Sequence, residues 1–302
     1  MTAIRLPRTV LLLALLGILG ACGNDSEPST TGFSAEELAA RGEEAFFDTL
    51  GGVAERTAEA ISDLSAAVAK NPSDGHSQFH LGMIHLFRFA QSVSDYQSAS
   101  TIEKDDVSLA QKALEAAVPL LPDDRRVPGF RAAATYMLGV VTHDQAGIDQ
   151  GLQQLRDAYA LFPEFNSFDF IATVGAVVSA KDPLYQEVLQ ILGDPLMASC
   201  TPFNEPKLCG NFGKAPHNVE GALILFGDLF AKGGNLVKAK GYYNLAKTPF
   251  ASAGGPWRFQ SLVQQRLDTV KQRIALYQDD DPSNDPPLVG YHEEACAVCH
   301  DR

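Results

Sequence analysis

The sequence predicts an all-α fold, in which helical hairpins stack into a solenoid that is followed by an extended C-terminal tail. Three observations support this prediction. Apolar residues in the body of the chain recur at three- and four-residue spacing, as in amphipathic helices. No stretch sustains the alternation of apolar and polar residues that marks a strand. The pattern small-x3-Leu-x2-Ala-x4-Pro occurs several times, which indicates repeated helical units.

The helical body is predicted to span residues 34–277. Ser34 is followed three residues later by Glu37, which is the spacing of a capping box, and a helix is expected from there to about Leu50. Asn-Pro, Pro-Asp, Gly-Gly and Asp-Pro pairs interrupt the apolar pattern farther along. Because such pairs favour turns, they are expected to separate successive helices.

The repeated pattern predicts one buried stripe on each of three helices. Its small residues would let a neighbouring helix approach, and its proline would follow the end of the helix. The copies are Ala60, Leu64, Ala67 and Pro72; Ala110, Leu114, Ala117 and Pro122; and Gly151, Leu155, Ala158 and Pro163.

This spacing resembles the second helix of a tetratricopeptide (TPR) repeat. The fullest match to one repeat of that family comprises Gly227, Phe230, Gly234, Ala239, Tyr243 and Ala246. The resemblance implies stacked helix pairs with a concave surface that could receive a partner. The prolines at positions 72, 122 and 163 are farther apart than the family's repeat of about 34 residues, so a generic bundle of antiparallel helix pairs is the alternative.

The N-terminus has the proportions of a signal peptide. Arg5 and Arg8 precede a short apolar run that ends in small residues and then Cys22. The segment from Leu19 to Cys22 resembles the lipobox of bacterial lipoproteins, which implies a signal peptide at residues 1–21, a lipidated Cys22 and a flexible tether at residues 22–33. The residue after the cysteine is Gly23 and not aspartate, which in that family implies the outer membrane. The periplasmic side is expected, and the cell surface is the alternative. Ordinary secretion is the alternative.

The net charge indicates which partners the protein could bind, and two of the cysteines indicate a disulfide. The chain has 24 Lys and Arg against 37 Asp and Glu, and so acidic a protein is a poor nucleic-acid binder. Two of its five cysteines, Cys200 and Cys209, lie close together in a proline-containing stretch. In an oxidising compartment this pair is expected to form a disulfide.

The C-terminus carries the chain's most specific motif. An acidic, proline-rich linker is predicted at residues 278–287, and residues 288–302 form the tail. Within the tail, the sequence from Cys296 through Cys299 to His300 has the Cys-x-x-Cys-His spacing of c-type cytochromes. The resemblance implies one covalent haem c, with Cys296 and Cys299 as the thioether residues and His300 as the proximal iron ligand.

Two alternatives apply to the same residues. A disulfide would use Cys296 and Cys299 and would leave His300 without a role, whereas zinc could take both thiolates with His300 and His292. Export favours haem, because thiolate zinc sites are less common in oxidising compartments and bacterial haem attachment takes place outside the cytoplasm.

The sixth iron ligand has more than one candidate. His292 is the histidine nearest in sequence, and the four extended residues to Cys296 span about 13 Å. His76 and His80 lie four residues apart with Met83 nearby, and they could face the tail if it folds back. No sequence feature selects His143, His217 or Met197.

These residues favour electron transfer at the cell envelope over catalysis. The sequence contains no nucleophile-elbow, phosphate-cradling or zinc-protease motif. The leading hypothesis is a lipid-anchored mono-haem cytochrome whose helical repeats dock a redox protein or a larger electron-transfer complex. The alternatives are a scaffold lipoprotein with a structural haem, and a haem peroxidase or gas-binding sensor.

Overall fold

The computed structural model describes residues 32–93, 96–193, 214–247, 257–291 and 296–301. All of these except Gly32 belong to one unit, Phe33–Arg302. The predicted signal peptide, Cys22, the pair Cys200 and Cys209, and His292 lie outside the described residues. The expectations for those positions stay predictions.

The described residues contain twelve α-helices and no strand, which confirms the predicted all-α class. None of these helices is both long and apolar enough to cross a lipid bilayer. The helices are α1 (Ala35–Leu50), α2 (Thr57–Lys70), α3 (Gly75–Ser92), α4 (Thr101–Leu120), α5 (Val127–Thr142), α6 (Gln145–Leu161), α7 (Pro163–Val177), α8 (Pro183–Gly193), α9 (Asn218–Lys232), α10 (Leu236–Ala246), α11 (Gln260–Gln278) and α12 (Ala297–His300).

Helices that are adjacent in sequence pack against each other as hairpins. The most extensive contacts join α1 to α2, α3 to α4, α5 to α6 and α9 to α10. Smaller contacts between α2 and α3 and between α4 and α5 connect one hairpin to the next. The predicted helical-hairpin arrangement is therefore confirmed.

The repeated sequence pattern forms the buried side of the second helix in three hairpins. Leu64, Leu114 and Leu155 of these stripes are fully buried. Each of these helices ends two residues before its proline: α2 before Pro72, α4 before Pro122 and α6 before Pro163. Pro163 is also the first residue of α7. Burial of one leucine side chain contributes about 1.5–3 kcal/mol to the free energy of folding. The stripes therefore stabilise the hairpins.

Glycines on the first helix of a hairpin let the second helix approach closely. A Cβ atom added to Gly82 of α3 would lie 2.5 Å from Cγ of Leu114 on α4. A Cβ atom added to Gly227 of α9 would lie 2.3 Å from the ring of Tyr243 on α10. Since real Cβ contacts are longer, a larger residue at either position would push the two helices apart.

Capping boxes fix the start of two helices. At α1 the backbone N–H of Glu37 donates to Oγ of Ser34 at 3.1 Å, and the backbone N–H of Ser34 donates to the Glu37 carboxylate at 2.7 Å. Ser100 and Glu103 repeat this arrangement at the start of α4. The pair at α1 is the one that the sequence predicted.

After α11 the chain packs back onto the helical body. The predicted linker contains a short 3-10 helix, Pro282–Asn284. Leu288 and Val289 are buried in the largest apolar cluster among the described residues. The last helix, α12, packs against both α9 and α1. The tail is therefore part of the folded body, and it brings the cysteine motif to the surface between α1 and α9.

Candidate functional site

A buried carboxylate on α9 anchors the start of the tail. Asp228 has no exposed surface and forms an ion pair with Arg266 at 3.0 Å and with Arg273 at 3.2 Å. The Tyr243 hydroxyl donates to Asp228 at 2.7 Å, and the backbone N–H of Val289 donates to it at 2.9 Å. A buried charge needs this many partners to offset its desolvation. The network therefore fixes the position at which the tail crosses α9 and α11.

Two tyrosines hold the tail on either side of that crossing. The Tyr277 hydroxyl donates to the carbonyl of Pro286 at 2.6 Å, and the Tyr291 hydroxyl donates to the carbonyl of Ala172 at 3.0 Å. The ring of Tyr291 also meets the ring of Tyr96 edge-on, with centroids 6.1 Å apart. Burial raises the pKa of Tyr291, so its hydroxyl stays a donor at neutral pH.

The motif helix α12 is held through its backbone. The indole Nε1 of Trp257 donates to the carbonyl of Val298 at 3.0 Å, and the backbone N–H of His217 donates to the carbonyl of Cys299 at 3.0 Å. The rings of Trp257 and His217 stack with centroids 5.6 Å apart. Because these bonds satisfy carbonyls at the end of a short helix, they fix its orientation against the start of α9.

Asp301, the residue after the motif, also contacts the helical body. Asp301 is almost fully buried, and its carboxylate accepts hydrogen bonds from Nε of Arg258 at 2.8 Å and from the Arg258 backbone N–H at 3.1 Å. The Arg258 side chain is half exposed. The ion pair therefore contributes little stability of its own, but it fixes the end of α12.

The two thiols lie in different surroundings and are not joined to each other. Cys296 packs against the apolar cluster of α1, α2 and α3 that includes Phe46 and Ile84. The sulfur of Cys299 lies against Gly221 of α9, where an added Cβ atom would be 2.4 Å from it. Burial raises the pKa of both thiols to about 12. They are therefore protonated at neutral pH, which disfavours thiol–disulfide exchange.

The imidazole of His300 has a defined tautomer. Its Nδ1 lies 2.7 Å from the carbonyl oxygen of Lys214. A carbonyl only accepts hydrogen bonds, so Nδ1 carries the proton and the lone pair of the neutral ring lies on Nε2. A hydrogen bond of this kind orients metal-ligating histidines and makes them more basic. The arrangement suits His300 to a role as a metal ligand through Nε2.

An aromatic cluster from α1 and α3 borders the motif. The ring of His80 stacks on Phe46 with centroids 4.9 Å apart and meets the edge of Phe47 at 5.6 Å. The ammonium group of Lys214 lies 3.7 Å from the centre of the Phe47 ring. Burial lowers the pKa of His80 to about 4, so its imidazole is neutral at neutral pH.

The structure brings some predicted site residues together and leaves others apart. Cys296, Cys299 and His300 lie in one short segment against α1 and α9. His143 follows the end of α5 as an exposed residue in the left-handed conformation, and α5 makes its main contacts with α4, α6 and α7. In the part of the chain that the structure describes, no group of three or more His, Cys, Asp or Glu side chains could hold a metal ion. The zinc alternative also uses His292, which lies outside the described residues, so it stays an untested prediction.

Four residues of the site were not selected by the sequence: Lys214, His217, Gly221 and Trp257. Lys214 acts through its backbone carbonyl, which carries no sequence signal. Gly221 is one of 25 glycines, and nothing in its neighbourhood distinguishes it. Trp257 is the one tryptophan of the chain, and this rarity was an available signal.

Comparisons with protein-family models, with curated proteins and with solved structures found no match.

Proposed function

We propose that this protein is a mono-haem c-type cytochrome lipoprotein that transfers electrons at the cell envelope. One observation carries most weight: His300, in the Cys-x-x-Cys-His motif, has its Nδ1 proton bonded to the Lys214 carbonyl and its lone pair on Nε2. A disulfide between Cys296 and Cys299 would give this contact of His300 no role. The orientation is the one that an axial haem ligand needs.

The other site residues fit a covalently bound haem. Cys296 and Cys299 are separate, protonated thiols, and each could add its S–H across one vinyl group to form a thioether. The absence of a side chain at Gly221 lets the Cys299 sulfur pack against α9, where an added Cβ atom would lie 2.4 Å from it. Cys296 packs against the apolar cluster to which Phe46 and Phe47 belong. Haem bound here would supply a reversible one-electron centre.

The rest of the chain suits an envelope protein that meets another protein. The predicted signal peptide and Cys22 lipidation would place the chain outside the cytoplasm, where bacterial haem attachment takes place. The helical hairpins would dock a redox partner or a larger electron-transfer complex.

A direct test uses protein exported from bacteria that carry haem-maturation machinery. We expect covalent haem staining on a denaturing gel and a reversible one-electron couple in voltammetry. A Cys296→Ser, Cys299→Ser double variant is the matched control and should show neither signal. Correctly exported wild-type protein that lacks both signals would contradict the proposal.

A scaffold lipoprotein with a structural haem is the second candidate, and the burial of the tail favours it. The Asp228 network ties residues 286–289 into the main apolar cluster, so the tail contributes to the fold itself. In this case a haem-free Cys296→Ser, Cys299→Ser variant should lose partner binding. If that variant still assembles with its partner and only electron flow stops, electron transfer is the better description.

A further inference from the structure

Helix α3 presents a histidine to the same surface as the cysteine motif. His80 stacks on Phe46 at 4.9 Å with an angle of 24° between the ring planes, and it also contacts Phe47. Cys296 packs against the apolar cluster to which Phe46 and Phe47 belong. His80 and Cys296 therefore both contact the cluster that contains Phe46 and Phe47.

Lys214 links His80 to the proximal histidine from a second direction. Its carbonyl accepts the Nδ1 proton of His300, while its ammonium group lies over the Phe47 ring that contacts His80. An open depression in the surface adjoins these contacts, and Glu43, Phe47 and Lys214 are among the residues that line it. Phe47 and Lys214 thus connect the two imidazoles through a chain of direct contacts.

The other histidines of α3 are less suited to this region. His85 is buried, and its Nδ1 is hydrogen bonded at 2.7 Å to Asp106, which also pairs with Arg88. His76 is exposed, and its ring lies 6.5 Å from that of His80, one turn farther from Phe46 along the helix. The contacts of His80 are ring contacts with phenylalanines. Such contacts orient an imidazole and leave its nitrogen atoms available to a ligand.

We propose, on the basis of the haem attachment proposed above, that α3 supplies the sixth iron ligand and that His80 is that ligand. Cys296, Cys299, His300 and His80 would then hold the haem together, and Phe46 and Phe47 would be the aromatic side chains that orient His80. Met83 is the rival on the same helix, since it packs against the same apolar cluster one turn farther along. His292, the candidate nearest in sequence, lies outside the described residues.

The test compares five forms of the haem-loaded, exported protein: wild type, His80→Ala, His80→Phe, His76→Ala and Met83→Leu. Spin state is read from optical and electron paramagnetic resonance spectra, and carbon monoxide binding is read on the reduced protein. We expect low-spin haem without carbon monoxide binding in wild type, His76→Ala and Met83→Leu. Both His80 variants should become high-spin and bind carbon monoxide, and added imidazole should restore the low-spin spectrum of His80→Ala.

The test remains decisive if the alanine variant at position 80 fails to fold, for two reasons. His80→Phe keeps an aromatic ring on Phe46 and should fold if the alanine variant does not. Near-infrared magnetic circular dichroism of unmutated protein distinguishes two histidine ligands from histidine with methionine, and we expect the former. The assignment of His80 would be overturned if both His80 variants kept low-spin haem, if Met83→Leu became high-spin, or if wild type were itself high-spin. Wild type without covalent haem would instead overturn the attachment proposal, and this inference with it.

Discussion

At the scale of single residues, the site depends on close approaches and on protons held in fixed positions. His300 has a defined tautomer because Lys214 offers a carbonyl at 2.7 Å, and Cys299 fits against α9 because residue 221 has no side chain. Elsewhere, Asp169 of α7 is buried with an unpaired Oδ2 atom close to Gly129 of α5. Such contacts have large effects because interiors are close-packed and desolvated groups lack water.

Gly221→Ala tests the space beside the Cys299 thiol. The added methyl group would lie 2.4 Å from the sulfur, so we expect a loss of about 1–3 kcal/mol in the free energy of unfolding. The yield of covalent haem should also fall. Urea unfolding and haem staining measure the two effects.

Gly241→Ala is the matched control, because nothing lies within 4 Å of a Cβ atom added to that exposed glycine of α10. It should stabilise the protein by about 0.5–1 kcal/mol, since alanine is the better helix former. Equal stability of the two glycine variants would show that the close contact at Gly221 is unimportant.

Asp169→Asn tests the cost of a buried carboxyl group. Burial raises the pKa of Asp169 well above its ordinary value, so the folded state binds a proton that the unfolded state releases above about pH 4. Stability from this group is present below that pH and is lost as the pH rises towards the folded-state pKa, by about 1.4 kcal/mol per pH unit.

The asparagine variant should therefore gain stability over wild type at pH 7, and the gain should shrink as the pH approaches 4. Urea unfolding across this range measures the difference. Asp157→Asn, at an exposed carboxylate of α6, is the control. A difference between Asp169→Asn and wild type that does not change with pH would rule out a protonated Asp169.

At the scale of helices, burial of one stripe and close approach at glycines hold each hairpin together. Leu114 of α4 is fully buried and sits opposite Gly82 of α3, as Tyr243 of α10 sits opposite Gly227 of α9. The capping boxes and prolines set where helices begin and end. Packing of the stripes then provides most of the stability, because helices of this length are marginal by themselves.

Leu114→Ala should destabilise the protein by about 2–5 kcal/mol, because it removes a buried side chain and leaves a cavity between α3 and α4. Leu109→Ala on the same helix is the control, since that side chain is 46% exposed. Thermal and urea unfolding compare the two. A similar loss from both variants would mean that the repeated stripe has no special role in the hairpin.

At the scale of the whole molecule, the tail completes the fold and places the motif. Asp228 connects α9, α10, α11 and Val289, and α12 then lies against α1 and α9, which are far apart in sequence. The site is therefore built from both ends of the helical body. The helices that pack against the motif are therefore α1 and α9, which belong to the helical body and not to the tail itself.

Asp228→Asn should loosen the tail and destabilise the whole protein. Arg266 and Arg273 would lose their shared buried carboxylate, and breaking a buried ion pair typically costs about 3–5 kcal/mol. Limited proteolysis should then cleave the tail faster than in wild type. Asp268→Asn, at an exposed position of α11, should change neither property. Unchanged cleavage of the tail in Asp228→Asn would show that the network does not anchor it.

Sequence reasoning succeeded where the deciding interactions are local. The capping box at Ser34, the stripes that contain Leu64 and Leu114, and the helix ends before the prolines all depend on residues within a few positions of one another. The Lys214 contact with His300 joins residues 86 positions apart through a backbone carbonyl. The packing of Gly221 on Cys299 likewise exists only once the tail has folded back. Neither contact leaves a pattern in the sequence.

The central claim, that Cys296 and Cys299 carry one covalent haem, is tested most directly by peptide mass spectrometry. Wild-type protein exported from cells with haem-maturation machinery would be digested, and the peptide that contains both cysteines would be identified. We predict that this peptide carries the mass of one haem, and that Cys296→Ser, Cys299→Ser protein yields it without that mass. Recovery of the wild-type peptide with free thiols, or with an internal disulfide, would contradict the claim.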